Sequence, residues 1–319
     1  MIQKTMMAAL FGMVASSASA QLVPASMQVD RTGNGVLESG ETAVVEPSWR
    51  NTGQFSVVAD PTILSSFTGP AGPTYTLVDT LGGYGQFAGF ETRRCTNCYS
   101  IRITAASRPL MHWDATATET VLSTAKVWAL HVGGSFADVP ASSPFYPFVE
   151  TLLHRRITNG CTATGYCPLA PTDRAQMAVF LLLAKEGAAY SPPACGAPMF
   201  VDVPASSVFC PWIEELARRG IAAGCGGGRY CPASPVTREQ MAVFVLRTLD
   251  PMLNPPPCGT PMFADVPASS GFCPWIEELA RRGIVSGCGG GNYCPFAAVT
   301  RQEMGVFLAA TFGLTLYGP

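Results

Sequence analysis

The sequence predicts a two-part chain, an all-β N-terminal sandwich followed by a mainly α-helical unit made of three copies of one repeat. Three observations carry this prediction. Residues 200–232 and 263–295 are 33 residues each and differ at five positions, and a diverged copy starts 64 residues before the first of them at Phe136-Ala137-Asp138-Val139. Residues 21–133, by contrast, alternate short apolar segments with Gly, Pro and Asn clusters, the pattern of short strands and tight turns. Composition sets the outer bounds: 48% apolar and 13% charged residues exclude a disordered chain. Twenty Lys and Arg against 22 Asp and Glu leave no basic excess, so nucleic acid is not an expected partner.

The expected boundaries follow in order: a leader over 1–20, the β module over 21–133, and repeats over 134–190, 191–252 and 253–319. In the leader, Lys4 precedes an apolar run at 6–15 and the small-residue stretch Ala18-Ser19-Ala20, which is the pattern of a secretory signal peptide. No second apolar run is long enough to span a bilayer, so the mature chain is expected to have no transmembrane segment and to be exported.

Within the β module, strands are expected at 42–45, 55–58, 100–104 and 126–132. Two local patterns carry possible chemistry. Asp30, Thr32, Asn34, Val36, Glu38 and Glu41 occupy oxygen-ligand positions of a twelve-position calcium loop with Gly35 in the sixth place, although the flanks do not look helical and a glycine-capped Asx turn explains the same residues. Calcium is therefore the one cofactor expectation, and it is not a required one. Cys95 and Cys98 have redox spacing but lie between β segments, so a small structural disulfide is expected; zinc with His112 would leave a ligand missing. The segment 34–41, followed by Arg50-Asn51-Thr52-Gly53, resembles immunoglobulin-like modules of secreted bacterial proteins, which implies an immunoglobulin-like sandwich acting as a spacer or adhesion unit.

Each repeat reads as helix, glycine-rich loop, helix. In the second copy Pro211 suits a first helical position, Arg218, Arg219 and Gly220 suit a helix end, and a second helix starts after Thr237. One helix pair cannot bury its apolar faces, so the three copies should share a core. The cysteines of an exported chain read as disulfides. Cys225/Cys231 and Cys288/Cys294 have counterparts in Cys161/Cys167, whereas Cys195/Cys210 and Cys258/Cys273 are replaced together by His131 and Tyr146 in the first copy. Positions lost together are most simply partners, so these five pairs are expected, with a metal site the weaker alternative.

Phe-x-Asp-Val, then Trp212-Ile213, then Gly-Ile-x-x-Gly at 220–224, then Cys-Pro before Thr-Arg, is similar to the S-layer homology repeat. The resemblance implies a pseudo-threefold unit that grips cell-wall polysaccharide or peptidoglycan without covalent attachment. It also implies binding residues at the start of each second helix: Arg174 in copy one, Thr237 and Arg238 in copy two, Thr300 and Arg301 in copy three. Thr with Gln or Glu three residues on is equally a capping box and needs no ligand. An Arg in the first turn opposes the helix dipole, and beside free N–H groups it would complete a site for an acidic sugar. Trp212 and Trp275 could offer flat faces to a sugar or be core. Copy one departs from the family at Arg156, where Gly is usual, which weakens its groove.

No catalytic motif is present: no Gly-x-Ser-x-Gly, no His-Glu-x-x-His, no P-loop, and the three histidines are far apart in sequence. The chain is accordingly expected to be a non-enzymatic surface protein held to the envelope by its repeats, or else a secreted adhesin or carbohydrate-binding module that leaves its own wall. Its oligomeric state is left open.

Overall fold

The structure, a computed structural model, describes residues 22–31, 33 and 35–316. The leader expectation falls outside the described residues.

The described residues of the first region form eleven strands: Leu22–Val29 (β1), Thr42–Asn51 (β2), Val57–Val58 (β3), Thr62–Thr68 (β4), Thr74–Asp79 (β5), Leu81–Gly82 (β6), Gln86–Phe87 (β7), Thr92–Arg94 (β8), Tyr99–Thr104 (β9), Asp114–Val121 (β10) and Thr124–His131 (β11). One sheet runs β1-β2-β9-β5 with β8 also on β2, a second runs β11-β10-β4-β6, and β3 pairs with β7. Every named pairing is antiparallel. Alternation decides the faces: β9 turns Tyr99, Ile101 and Ile103 inward, and β10 turns Ala115, Ala117, Glu119 and Val121 inward. Val45 and Ile101 of one sheet and Leu64, Ala117 and Leu130 of the other belong to one buried cluster. Expected strand 55–58 shrinks to two residues, because Asn51 Nδ2 donates to Phe55 O at 2.7 Å and holds the chain in a turn there.

Inward-facing Glu119 is fully buried and accepts four hydrogen bonds, from Trp49 Nε1 at 2.8 Å, Trp128 Nε1 at 2.9 Å, Tyr84 OH at 2.6 Å and Tyr99 OH at 3.0 Å. Four donors replace the water a carboxylate loses on burial; Trp49 and Tyr99 come from one sheet, Trp128 from the other and Tyr84 from the segment between β6 and β7.

The described residues of the second region form six helices: Tyr146–His154 (α1), Arg174–Glu186 (α2), Cys210–Arg218 (α3), Arg238–Leu249 (α4), Cys273–Arg281 (α5) and Arg301–Phe312 (α6). Helices α1, α3 and α5 each carry Pro in the first turn, where its missing N–H costs nothing. Helices α4 and α6 start with full capping boxes on Thr237 and Thr300, and α2 with Asp173 accepting from Gln176 N. The helices α2, α4 and α6 pack on one another, and each first helix packs on the second helix of the preceding copy: α3 on α2, α5 on α4 and α1 on α6. Side chains of all three copies, among them Leu152, Leu181, Ile213, Val245, Ile276 and Leu308, form one buried cluster.

Candidate functional site

The three copies are closed on each other by hydrogen bonds that run in a ring. Val236 N donates to Thr172 O, Val299 N to Val236 O and Thr172 N to Val299 O, all at 2.8–2.9 Å. The Arg of each second helix continues the ring. Arg174 Nε donates to Tyr230 O and Arg238 Nε to Tyr293 O, both at 2.9 Å, and Arg301 Nε to Tyr166 O at 2.8 Å. Each guanidinium lies between two rings of the next copy: Arg174 is 4.6 Å from the Tyr230 centroid and 5.3 Å from that of Phe244. In return the three tyrosine hydroxyls donate to the arginine carbonyls, Tyr230 to Arg174 O at 3.0 Å. Burial pushes Tyr230 up to about 12, with Arg174 opposing, so its hydroxyl stays a donor.

The Phe-x-Asp-Val motif acquires a physical reason from the same tyrosines. Phe136, Phe200 and Phe263 each pack 5.4 Å from Tyr166, Tyr230 and Tyr293. The Asp carboxylates (Asp138, Asp202, Asp265) accept from the backbone N–H of that Tyr and of the following Cys. Those cysteines, Cys167, Cys231 and Cys294, are in the left-handed region at φ 58–60°, a conformation the Asp and the disulfide hold in place. The final Gly of Gly-Ile-x-x-Gly is a matter of space: a Cβ on Gly224 would stand 2.3 Å from Arg229 O.

This arrangement corrects the physical argument for an anion site at the helix starts. The first-turn N–H groups are taken by carbonyls of the next copy: Arg174 N by Ser234 O, Arg238 N by Ala297 O and Arg301 N by Ala170 O. The arginines are buried inter-repeat clamps at 5–7% exposure, and burial lowers the pKa of Arg174 and Arg301. What remains for a ligand is the outer edge of each guanidinium, and here the three copies differ. Arg174 lies in a cavity of about 290 Å³ with Ala222, Gly224, Gln240, Phe244 and Arg247. Its Nη2 is buried with no protein partner, and so is Nε of Arg247. Arg238 lies in a cavity of about 350 Å³ with Val285, Gly287, Glu303 and Phe307, where Nη1 is 3.8 Å from Glu303 Oε1. Arg301 is closed off: Nη1 donates to Gln176 Oε1 at 3.0 Å and Nη2 to Thr158 Oγ1 at 3.4 Å. Thr158 stands where copies two and three have Ala222 and Val285.

The remaining candidate residues fall elsewhere. Thr237 and Thr300 cap helices. Trp212 and Trp275 are half-buried against the helical core, Trp212 beside Tyr190 and Trp275 under the Arg247 guanidinium at 5.1 Å. Arg247 is the residue that sequence reasoning missed, since its equivalents are Leu183 and Ala310 and no repeat pattern marks it. In the N-terminal loop, Thr32 and Asn34 lie outside the described residues, Val36 is buried, and Glu41 Oε1 accepts from Glu38 N at 2.6 Å. Burial and the charges of Asp30 and Glu38 raise Glu41, against the pull of that N–H. All twelve cysteines are paired: 95–98, 161–167, 195–210, 225–231, 258–273 and 288–294. Cys95 and Cys98 are thus tied to each other rather than to His112.

A ring of three helix–loop–helix copies with inter-repeat grooves defines the class of this second region. The family model described as the S-layer homology domain matches residues 135–178, 200–242 and 263–304. The chain carries three S-layer homology domains, modules that bind cell-wall polymers and mark an envelope-associated cell-surface protein. No helix among the described residues is long and apolar enough to cross a membrane. An endoglucanase of Bacillus sp. (strain KSM-635) is 28% identical over 121 residues, 37% of this chain and 12% of that protein, so this chain spans about an eighth of that relative's length. That finding overturns the expectation of a non-enzymatic chain: absence of familiar motifs does not exclude enzymes when a protein named for an enzymatic activity shares this much sequence, since carboxylate pairs for glycoside hydrolysis meet only in the fold.

Proposed function

We propose that this is an exported bacterial surface protein whose pseudo-threefold repeat unit holds it non-covalently to wall-linked acidic glycan or peptidoglycan, displaying an immunoglobulin-like β-sandwich. The observation that carries this reading is the groove of Arg174. Two arginines, Gln240 and no carboxylate line it, a donor set suited to an acidic sugar. The groove of Arg238 holds Glu303, which competes for the same guanidinium, and the groove of Arg301 is filled by Thr158 and Gln176. One copy therefore supplies the principal acidic site, and it is not the one the Thr-Arg pattern favours. Calcium in the loop 30–41 belongs to the same proposal and rests on the ligand spacing of the sequence; a calcium-dependent rise in the thermal midpoint that Glu41→Gln removes tests it.

Co-sedimentation of the oxidised full chain with bacterial sacculi, before and after acid stripping of attached polymer, tests the anchor. Retention that stripping abolishes supports the acidic-glycan reading, and retention unaffected by stripping points to peptidoglycan itself. Recovery wholly in the supernatant overturns the anchor in favour of a released adhesin.

A further inference from the structure

The chain has three histidines, His112, His131 and His154, and the fold brings all of them to the seam between the β region and the first repeat. Three ligand atoms there form a compact triangle. His112 Nε2 is 3.0 Å from Asp114 Oδ2, His154 Nδ1 is 3.0 Å from His112 Nε2, and His154 Nδ1 is 3.8 Å from Asp114 Oδ2. These edges put all three atoms about 2 Å from a common point, the bond length of zinc to imidazole nitrogen or carboxylate oxygen. We propose that His112, Asp114 and His154 bind a divalent transition metal of the zinc class, which joins the lead-in and first residue of β10 to the last turn of α1.

The donor set selects the ion. Two imidazoles and one carboxylate suit zinc and its neighbours, whereas calcium and magnesium require oxygen ligands. The three side chains are 28–39% exposed, so a fourth position faces solvent and takes water. Behind the triangle, Asp114 Oδ1 is 3.2 Å from His131 Nδ1, and His131 Nε2 is 3.0 Å from Glu150 Oε2. His131, His112 and Glu150 form a second triangle of possible ligands, but it is a poorer site. The His131 side chain is 2% exposed and that of Glu150 fully buried, and the Glu150 oxygens already accept from Ser135 N and Oγ at 2.7 Å each. The neighbouring groups Cys195, Cys210, Glu214 and Cys258, Cys273, Glu277 offer disulfide sulfur, which is no thiolate ligand.

The test uses the oxidised full chain, stripped with chelator and titrated with cobalt(II) and then zinc(II). The proposal expects one equivalent of cobalt to give visible absorption of a low-coordinate site, displaced by zinc and not by excess calcium. His154→Ala, at the exposed end of α1, is expected to stay folded by circular dichroism and to weaken binding at least about tenfold, as is His112→Ala. Zinc should raise the thermal midpoint of the parent chain and not of His154→Ala. Absence of cobalt absorption, its displacement by calcium, or affinity unchanged in both variants would each overturn the site and leave a hydrogen-bonded histidine cluster.

Discussion

Repeat one and repeats two and three solve the same attachment problem by different chemistry. In the later copies the incoming chain is a Pro-rich linker, tied to the first helix by Cys195–Cys210 or Cys258–Cys273. Behind each bond a buried glutamate receives a linker N–H: Glu214 from Met199 at 2.9 Å and Glu277 from Met262 at 3.1 Å. Repeat one has His131 and Tyr146 in the cysteine positions. Its glutamate, Glu150, receives Ser135 N in the same way and pairs with His131 at 3.0 Å. Burial opposes the charge on His131, but its bonds to Asp114 and Glu150 outweigh that and raise its pKa; Glu150 is lowered by His131 and Ser135 despite its burial. Here the incoming chain is β11, already held by its sheet in the folded structure, and the ion pair with Glu150 completes its attachment. The difference teaches that a disulfide serves where the chain arrives flexible, and an ion pair suffices where it arrives folded. Val36 and Met111 of the β region complete the packing around Phe136, Tyr146 and Tyr166.

That comparison can be broken first at Glu150. Glu150→Ala takes the buried carboxylate from His131 and Ser135, leaves His131 with Asp114 alone, and should cost about 3–5 kcal/mol in denaturant unfolding. A loss below about 1 kcal/mol would mean that the pair does not replace the disulfide. Next in size, Cys195→Ser/Cys210→Ser should cost about 3 kcal/mol in the chain-entropy description, read from the same denaturation curve. The same assay on Cys225→Ser/Cys231→Ser separates the contribution of linker attachment from that of the glycine-rich turn.

Much of this was legible in the sequence, for physical reasons. The three-copy organisation, the Pro and Thr helix starts and the Gly-Ile-x-x-Gly turn follow from local rules that a short window contains. The two-sheet core of the β region was legible only as a class. Strand β10 shows Ala115, Ala117 and Glu119 where a buried face would show large apolar residues, because the rings of Trp49, Tyr84, Tyr99 and Trp128 fill the space from elsewhere in the fold. The differences between the grooves lay outside the reach of the repeat pattern. The Thr-Arg pattern is the same in copies two and three, but the surroundings of the three arginines differ in Gln240 or Glu303, Ala222 or Thr158, and Arg247, residues whose convergence depends on neighbouring copies. The histidines were invisible for the same reason, being 42 residues apart at their extremes and gathered only by docking.

Acid should loosen repeat two in a definable window. Burial raises Asp202, but N–H bonds from Tyr230 and Cys231 outweigh it; burial likewise raises Glu215, and Arg219, Tyr190 and Arg218 outweigh it. Both folded pKa values lie below the ordinary 3.8 and 4.5, so their stabilisation is complete above those values and lost as pH falls through the folded ones. Acid titration of the thermal midpoint should steepen below about pH 4, and Asp202→Asn should flatten that slope. Smallest is Arg156, which takes φ 56° where repeats two and three have Gly220 at 67° and Gly283 at 68°. Arg156→Gly should stabilise by about 1 kcal/mol, since only glycine adopts that region without a Cβ clash. An equal-sized loss would show that its side chain has contacts of its own.

If the grooves bind acidic glycan as proposed, their unequal linings rather than their equal motifs set the affinity. Calorimetric titration of the full chain with purified acidic wall polymer, in parent, Arg247→Ala and Glu303→Gln forms, tests it most directly. Arg247→Ala should weaken binding about tenfold or more, the worth of a charge-assisted bond, and Glu303→Gln should add binding by freeing Arg238. Binding unchanged by Arg247→Ala, or diminished by Glu303→Gln, would contradict it.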